Sequence, residues 1–215
     1  MNRNKIPDLQ SVRNFYPFSD PVHGFDHIER VYKLCQVIGE AEGADMEILL
    51  TAALLHDCDG SDPSKQNRAE HHLLSAERAA GFLYDLGWEE QDVLKVQHCI
   101  RAHRFRKSEK PHTIEAKSLF DADKLDVIGA IGIARTIGYA VQAGEPVYCE
   151  PSEHFLKTGK VISGEHHSVY HEYLFKLKRV QDTLYTETGK KLAKGRHAFL
   201  EVFFTQLVDE ANGLR

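Results

Sequence analysis

Apolar residues recur along this chain at the spacing of α-helices. Ile28, Val31, Cys35 and Ile38, for example, lie on one face of a helix with about 3.6 residues per turn. No convincing strand-like alternation and no internal repeat accompanies this pattern. The pattern therefore predicts an all-α fold, a single-domain helical bundle over residues 1–215 with a core at about 24–130 and a C-terminal helical hairpin at about 165–212.

Capping residues, glycines and prolines set the predicted helix boundaries. Asp26 and Glu29 form a capping box for the first helix, and Gly43 follows its end. The second helix contains MEILLTAALLHD, which is apolar on all sides and is expected to be the buried central helix. A single fifth helix is expected to contain AKSLFDADKLDVIGAIGIA, and Gly144–Gly164 is expected to be a loop. The predicted helices are Asp26–Glu42, a second from Asp45, Gln66–Leu86, Glu89–His103, a fifth from Thr113, Glu165–Tyr185 and Glu187–Asn212.

Charge and composition narrow the class of protein. The 215 residues carry 27 Lys+Arg against 32 Asp+Glu, a formal net charge of −5, which disfavours a nucleic-acid partner because phosphates would not be neutralised. No apolar run approaches the roughly 20 residues of a membrane span, so no membrane partner is expected. The four cysteines form no C-x-x-C pair and fit a reducing cytoplasm. The unusual residue is histidine, with 13 copies.

A His-Asp pair at the end of the most apolar helix is the first candidate for chemistry. His56 and Asp57 need partners there, because isolated buried charges are costly. His27 lies on the core-facing side of the first helix. Taken alone, the pair also fits an ordinary surface turn, and His27 also fits a hydrogen-bonded core residue.

Three aspartates on the fifth helix could complete a site with these residues. Asp121, Asp123 and Asp126 all fall near apolar positions, so periodicity does not choose among them. Two imidazoles and two carboxylates from three helices would form a mixed nitrogen and oxygen site without thiolate. Such a ligand set suits Mn²⁺, Fe²⁺, Co²⁺ or Ni²⁺ better than a structural zinc, and leaves coordination positions open for water and substrate.

These strings resemble the HD superfamily of metal-dependent phosphohydrolases. HGFDHIERV supplies the first histidine, ALLHD the doublet and FDADKLDVIGAIGIAR the final aspartate. The likeness continues through TGKKLAKGRHAFLEVFF, so it covers nearly the whole chain, and it is most similar to the bacterial YpgQ/YedJ-type branch of small HD hydrolases.

The resemblance implies the identity of the ligands. By that likeness Asp123 is the final metal ligand beside His27, His56 and Asp57, and one divalent ion, Mg²⁺ included, is favoured over two. Some HD phosphatases carry a catalytic glutamate three residues after the doublet, where this chain has Gly60. A glutamate base therefore cannot be carried over. The catalytic candidates are Asp57 and Asp59, and Asp59 would orient the metal water or else be a turn residue.

Further histidines and cations leave the number of metals open. The run HLLSAERA from His72 resembles a segment that supplies an additional ligand in binuclear HD proteins, and His98 is the second candidate for another metal. His103, Arg104 and Lys124 are expected to contact substrate phosphate, because they lie close to these motifs in sequence. Each also fits a solvated or packed side chain.

The sequence thus predicts a metal-dependent phosphohydrolase with a small phosphorylated substrate, foremost a nucleotide. Nucleoside triphosphate pyrophosphohydrolase and phosphatase activity both fit this prediction, because the ligand set does not specify which phosphorus bond is cleaved. The alternatives are a di-iron HD-type oxygenase, which needs the additional histidine ligands, and a non-catalytic metal or nucleotide-binding module. No cofactor besides the metal is expected, and a homodimer is compatible with the sequence.

Overall fold

The computed structural model describes residues 6–16, 24–59, 70–104 and 109–215. Within these ranges it contains α-helices, one 3-10 helix at Leu177–Thr183 and no strand, which confirms the predicted all-α class. No helix in these ranges is both long enough and apolar enough to cross a bilayer. The helices are α1 (Leu9–Arg13), α2 (Phe25–Glu42), α3 (Met46–Leu55), α4 (His71–Asp85), α5 (Glu90–Ala102), α6 (Ile114–Leu125), α7 (Gly129–Gln142), α8 (Glu153–Thr158), α9 (Val169–Phe175) and α10 (Glu187–Ala211).

The chain separates into two compact units. The first comprises Met1–Asp123 and Tyr185–Gly189, and the second comprises Lys124–Leu184 and Lys190–Arg215. The prediction of one single domain stays a prediction. The first part of the predicted helix Gln66–Leu86 lies outside the described residues, which include α4 from His71 onward.

Helix α3 forms the core of the first unit. Residues Ile48–Leu55 are all buried, and the helix packs against α2 and α5, as its uniformly apolar sequence predicts. Asp45 caps its N-terminus, where the side chain accepts the backbone N–H groups of Glu47 and Ile48. The C-terminal end of α3 is thereby held in the interior, and His56 and Asp57 follow it there.

The predicted capping box of α2 is wrong. The helix begins one residue earlier, at Phe25, with Gly24 as N-cap and no side-chain cap. Asp26 therefore lies inside the first turn and pairs with Arg30 at 2.6 Å, one turn further along the surface. The earlier start places His27 in the first turn of α2.

The single fifth helix of the prediction is two helices in the structure. The chain leaves the helical path between Leu125 and Gly129, where Gly129 adopts a positive φ of 74°. A Cβ atom on Gly132 would lie 2.2 Å from the carbonyl oxygen of Val127, so glycine is needed at position 132 for the chain to pass this close. The predicted loop Gly144–Gly164 also contains α8, and the first arm of the predicted hairpin divides into α9 and the 3-10 helix.

Asp121 fixes α6 to the start of α10 within the first unit. Its buried carboxylate accepts the backbone N–H groups of Tyr185 (2.9 Å) and Thr186 (2.7 Å), and the Thr186 hydroxyl at 2.6 Å. Glycine at position 189 permits this approach, because a Cβ atom there would lie 2.5 Å from Asp121 Oδ2. These bonds hold the end of α6 that carries Asp123, two residues further along.

The Asp121→Ala variant is expected to lose about 3 kcal/mol of unfolding free energy, because buried donors at the start of α10 lose a charged acceptor. Urea denaturation measures this loss. Asp209→Ala is the matched control, since Asp209 makes a 3.1 Å surface ion pair with Arg215 whose removal should lower the unfolding free energy by less than about 1 kcal/mol. Equal losses in the two variants would contradict the role given to Asp121.

Candidate metal centre

His56 and Asp57 lie directly after α3 and are both buried. His56 is the C-terminal cap residue, and its Nδ1 lies 2.9 Å from the carbonyl oxygen of Ala53 one turn earlier. This bond has Nδ1 as the donor, so Nε2 is the basic nitrogen of the ring. His56 Nε2 lies 3.7 Å from Asp57 Oδ2.

His27 and Asp123 approach the pair from two other helices. His27, from the first turn of α2, is only 2% exposed. Its Nε2 lies 3.4 Å from Asp123 Oδ1 on α6 and 4.0 Å from Asp57 Oδ2. The structure therefore brings the four predicted ligands together, and donor atoms of His27, His56 and Asp57 all lie within 4.8 Å of one another. We call these four residues the His27 group.

The three aspartates that periodicity left open have different surroundings. Asp123 faces His27, whereas Asp121 binds the start of α10. Asp126 accepts a 2.6 Å hydrogen bond from Arg135. Packing contacts thus account for Asp121 and Asp126, and Asp123 is the aspartate beside the histidines, as the family likeness implied.

Two more histidines contact the other oxygen of Asp57. Nε2 of His71 lies 3.4 Å from Asp57 Oδ1, and Nε2 of His103 lies 3.5 Å from it. The two Nε2 atoms are 3.4 Å apart. These donors also form a group that could hold a metal ion, which we call the His71 group: Asp57, His71 and His103.

His71 was not among the predicted site residues, which included its neighbour His72. Helix α4 begins at His71, and His72 points into the core, where its Nδ1 has no hydrogen-bond partner within the described residues. Ser75 lies one turn later on the same face of α4 as His71. Ser75 exchanges hydrogen bonds with the backbone of Asp59, two residues after Asp57.

The histidines determine the charge of Asp57. Burial alone would raise the pKa of the Asp57 carboxyl, but positive charge on the surrounding histidines, foremost His56 and His103, outweighs it and holds the pKa well below its usual range. Burial lowers the pKa of His56, which favours its neutral form. An ionised carboxylate and a neutral imidazole are the forms that bind metals.

Two buried polar atoms indicate that a cation fits the site. Among the described residues, His56 Nε2 and Asp57 Oδ1 have no hydrogen-bond partner. Buried polar atoms are rarely left unpaired without a functional reason. A divalent cation in the His27 group would satisfy His56 Nε2, whereas Asp57 Oδ1 faces the His71 group. The mixed nitrogen and oxygen set without sulfur suits Mn²⁺, Fe²⁺, Co²⁺ or Ni²⁺.

The remaining candidates have varied positions. The Asp59 side chain is half-exposed, and its carboxylate lies 3.6 Å from Arg78 Nη1. These contacts do not show Asp59 orienting a water, so that role stays a prediction. Gly60 lies outside the described residues. Arg104, directly after His103, and Lys124, directly after Asp123, are both partly buried, and their phosphate contacts stay predictions.

His98 and His72 are not joined in a common group. His98 lies with Glu109 and His112, and no three-donor group in the described residues contains His72. His98 on α5 faces a different segment of the chain from His103, the residue that follows α5. Five positions separate the two, which places their side chains about 140° apart around the helix axis. A second metal at His72 or His98 stays a prediction, and within the described residues the two belong to no common three-donor group.

Comparison with known proteins identifies the family. The HD domain model matches residues 24–128. The uncharacterized protein YpgQ of Bacillus subtilis (strain 168) is 34% identical over 197 residues, covering 89% of this chain and 86% of the relative. The chain belongs to the HD-domain family. The matched range contains every residue of the His27 and His71 groups.

Solved structures of HD-domain relatives share the fold. The crystal structure of Bacillus subtilis YpgQ in complex with ADP is 31% identical, covers 94% of this chain and 92% of its own, and superposes with a TM-score of 0.72. An HD-superfamily hydrolase from Bacillus thuringiensis is 28% identical, covers 95% of this chain and 94% of its own, and has a TM-score of 0.70. The predicted HD resemblance is therefore confirmed, and the Bacillus thuringiensis relative is named as an HD-superfamily hydrolase.

Divalent metal is expected to stabilise this HD-domain protein. Mn²⁺ at 100 times its dissociation constant should raise the unfolding free energy by about 2.7 kcal/mol, because it binds only the folded chain. Thermal unfolding after chelator treatment, with and without added Mn²⁺, measures the shift. Asp57→Ala should lose most of it, whereas Asp182→Ala, at an exposed aspartate of the second unit, should retain it. An equal shift in both variants would contradict the site.

Proposed function

We propose that this HD-domain protein is a metal-dependent phosphohydrolase that acts on a small phosphorylated substrate, foremost a nucleotide. The observation that carries the proposal is the position of Asp57, which belongs to both groups. Its Oδ2 faces His27 and His56, and its Oδ1 faces His71 and His103. Such a cluster places metal ligands next to cationic or hydrogen-bonding side chains that can bind phosphate, all in the protein interior.

The residues divide into two roles. His27, His56, Asp57 and Asp123 would hold a divalent cation, which, when bound, lowers the pKa of water and polarises a phosphoryl oxygen. His71 and His103 would donate hydrogen bonds to phosphate oxygens from the Asp57 Oδ1 side. The Nδ1 of His103 lies 2.6 Å from the carbonyl oxygen of Ile100, which makes Nδ1 a donor and fixes the ring with Nε2 directed to the site. Because Nε2 carries no proton in that neutral ring, His103 would donate to phosphate as an imidazolium. Arg104 and Lys124 are the proposed additional phosphate contacts.

A nucleotide is favoured as substrate by a solved relative. Bacillus subtilis YpgQ was crystallised with ADP, and its structure covers 94% of this chain. A phosphate chain presents several anionic oxygens to the metal and to the histidines at the same time. We therefore propose nucleoside di- or triphosphates as the first substrates to examine, with pyrophosphate or phosphate release distinguishing the bond that is cleaved.

Asp57→Ala is expected to lower turnover by at least about 1000-fold, because it removes the carboxylate that both groups share. A panel of ribonucleoside and deoxyribonucleoside mono-, di- and triphosphates with Mn²⁺ measures the activity and the released product. His103→Ala should lower turnover less, by about 10- to 100-fold, and Asp182→Ala should leave it unchanged. Absence of turnover on every nucleotide, or equal turnover in wild type and Asp57→Ala, would contradict the proposal.

A two-metal HD enzyme, including a di-iron oxygenase, is the second candidate. The observation that favours it is the His71 group, whose three donors lie within 4.8 Å of one another and could hold a second ion bridged by Asp57. Metal analysis distinguishes the two. A metal content that is unchanged in His71→Ala supports the single-metal hydrolase, whereas the loss of one equivalent in His71→Ala supports the two-metal enzyme.

A further inference from the structure

A third group of side chains that could hold a metal ion lies in the first unit. His98 on α5, Glu109 and His112 each offer a donor atom, and these atoms all lie within 4.8 Å of one another. We call these residues the α5 cluster. It shares no residue with the His27 or His71 group. The function proposed above does not use it.

The cluster is held together by direct contacts. His98 Nδ1 lies 2.5 Å from Glu109 Oε1, and the backbone N–H of His112 donates to His98 Nε2 at 3.4 Å. The rings of His98 and His112 lie side by side, with their centroids 3.7 Å apart. One imidazole is therefore buried in the protein, while the second imidazole and the carboxylate are exposed and can adjust around it.

Arg101 orients the carboxylate of the α5 cluster. Its Nε donates to Glu109 Oε2 at 2.7 Å, which leaves Oε1 directed toward His98. Carboxylate ligands of metals are commonly held in this way by a hydrogen bond to the oxygen that does not bind the metal. The pair of Arg101 and Glu109 can therefore persist when Oε1 exchanges His98 for a cation. His98 would then bind through Nδ1, with its ring proton moved to Nε2 and the 3.4 Å bond from the His112 N–H given up.

We propose that the α5 cluster is a peripheral binding site for a divalent transition metal of the Zn²⁺ class. Two imidazoles and one carboxylate form a recognised ligand set for such ions. In a tetrahedral zinc site, metal–ligand distances near 2.0 Å place neighbouring donors roughly 3.3 Å apart. His98 and Glu109 must therefore separate by less than about 1 Å, which the 36% exposed Glu109 side chain permits.

Binding at the α5 cluster would join two segments of the chain. His98 belongs to α5, whereas Glu109 and His112 precede α6, the helix that carries Asp123. The metal would act as a cross-link that holds the start of α6 against α5. Such a site is structural, and it does not depend on the hydrolase activity.

Zn²⁺ binding measured by equilibrium dialysis and isothermal titration calorimetry tests the proposal on the full chain. Wild type should bind one equivalent more than His112→Ala, and Glu109→Gln should weaken the binding at this site at least 10-fold. His166→Ala is the matched control, because His166 forms an exposed pair with Glu145 at 3.1 Å and belongs to no three-donor group among the described residues. It should bind as much Zn²⁺ as wild type.

Equal Zn²⁺ stoichiometry in wild type and His112→Ala would overturn the proposal. Hydrogen exchange gives a second readout: Zn²⁺ should protect the amides of residues 109–112 in wild type and not in His112→Ala. Nucleotide turnover of His112→Ala should equal that of wild type. The Zn²⁺ measurements therefore test the α5 cluster, and nucleotide turnover tests the proposed hydrolase, so that either proposal can fail without the other.

Discussion

The structure of this site depends on an ionised carboxylate buried among imidazoles. Asp57 is only 8% exposed, and the Nε2 atoms of His27, His56, His71 and His103 lie within 4.0 Å of its two oxygens. Placing a carboxylate in the interior is unfavourable unless positive charge surrounds it. Histidine provides that charge when protonated, and a bound cation provides it when the imidazoles are neutral. The arrangement is therefore suited to exchanging protons for a metal ion.

The rest of the first unit serves to assemble this environment. Helix α3 is apolar on every side, so its C-terminal end projects Asp57 into the interior rather than into solvent. Asp121 fastens α6 to the start of α10 and so positions Asp123 opposite His27. Each ligand thus lies on a helix or directly after one, and contacts outside the site hold these helices so that the donors are close together before any ion binds.

The sequence predicted the parts of this site that depend on local pattern. The apolar run of α3 predicted a buried central helix that ends at His56 and Asp57, although the pair alone also fitted a surface turn, and the all-α class followed from the helical period. Periodicity could not choose among Asp121, Asp123 and Asp126, because all three lie near apolar residues and only tertiary contacts separate their roles. The HD likeness selected Asp123, and the geometry agrees.

Other features depend on contacts that a linear pattern does not contain. His71 lies beside Asp57 and His72 is buried next to it, because the packing of α4 decides which of the two neighbours reaches the site. The break between α6 and α7 was missed because Val127, Ile128 and Ile133 continue the apolar pattern across it, while the close approach of Gly132 to Val127 exists only in the folded chain.

Anomalous scattering from crystals grown with Mn²⁺ tests the central claim most directly. A bound ion should give a peak at about 2.0–2.2 Å from nitrogen and oxygen donors of His27, His56, Asp57 and Asp123. A peak of that kind, lost in crystals of Asp57→Ala, is the predicted result. Crystals of the folded protein with no anomalous peak among these four side chains would contradict a metal centre at Asp57.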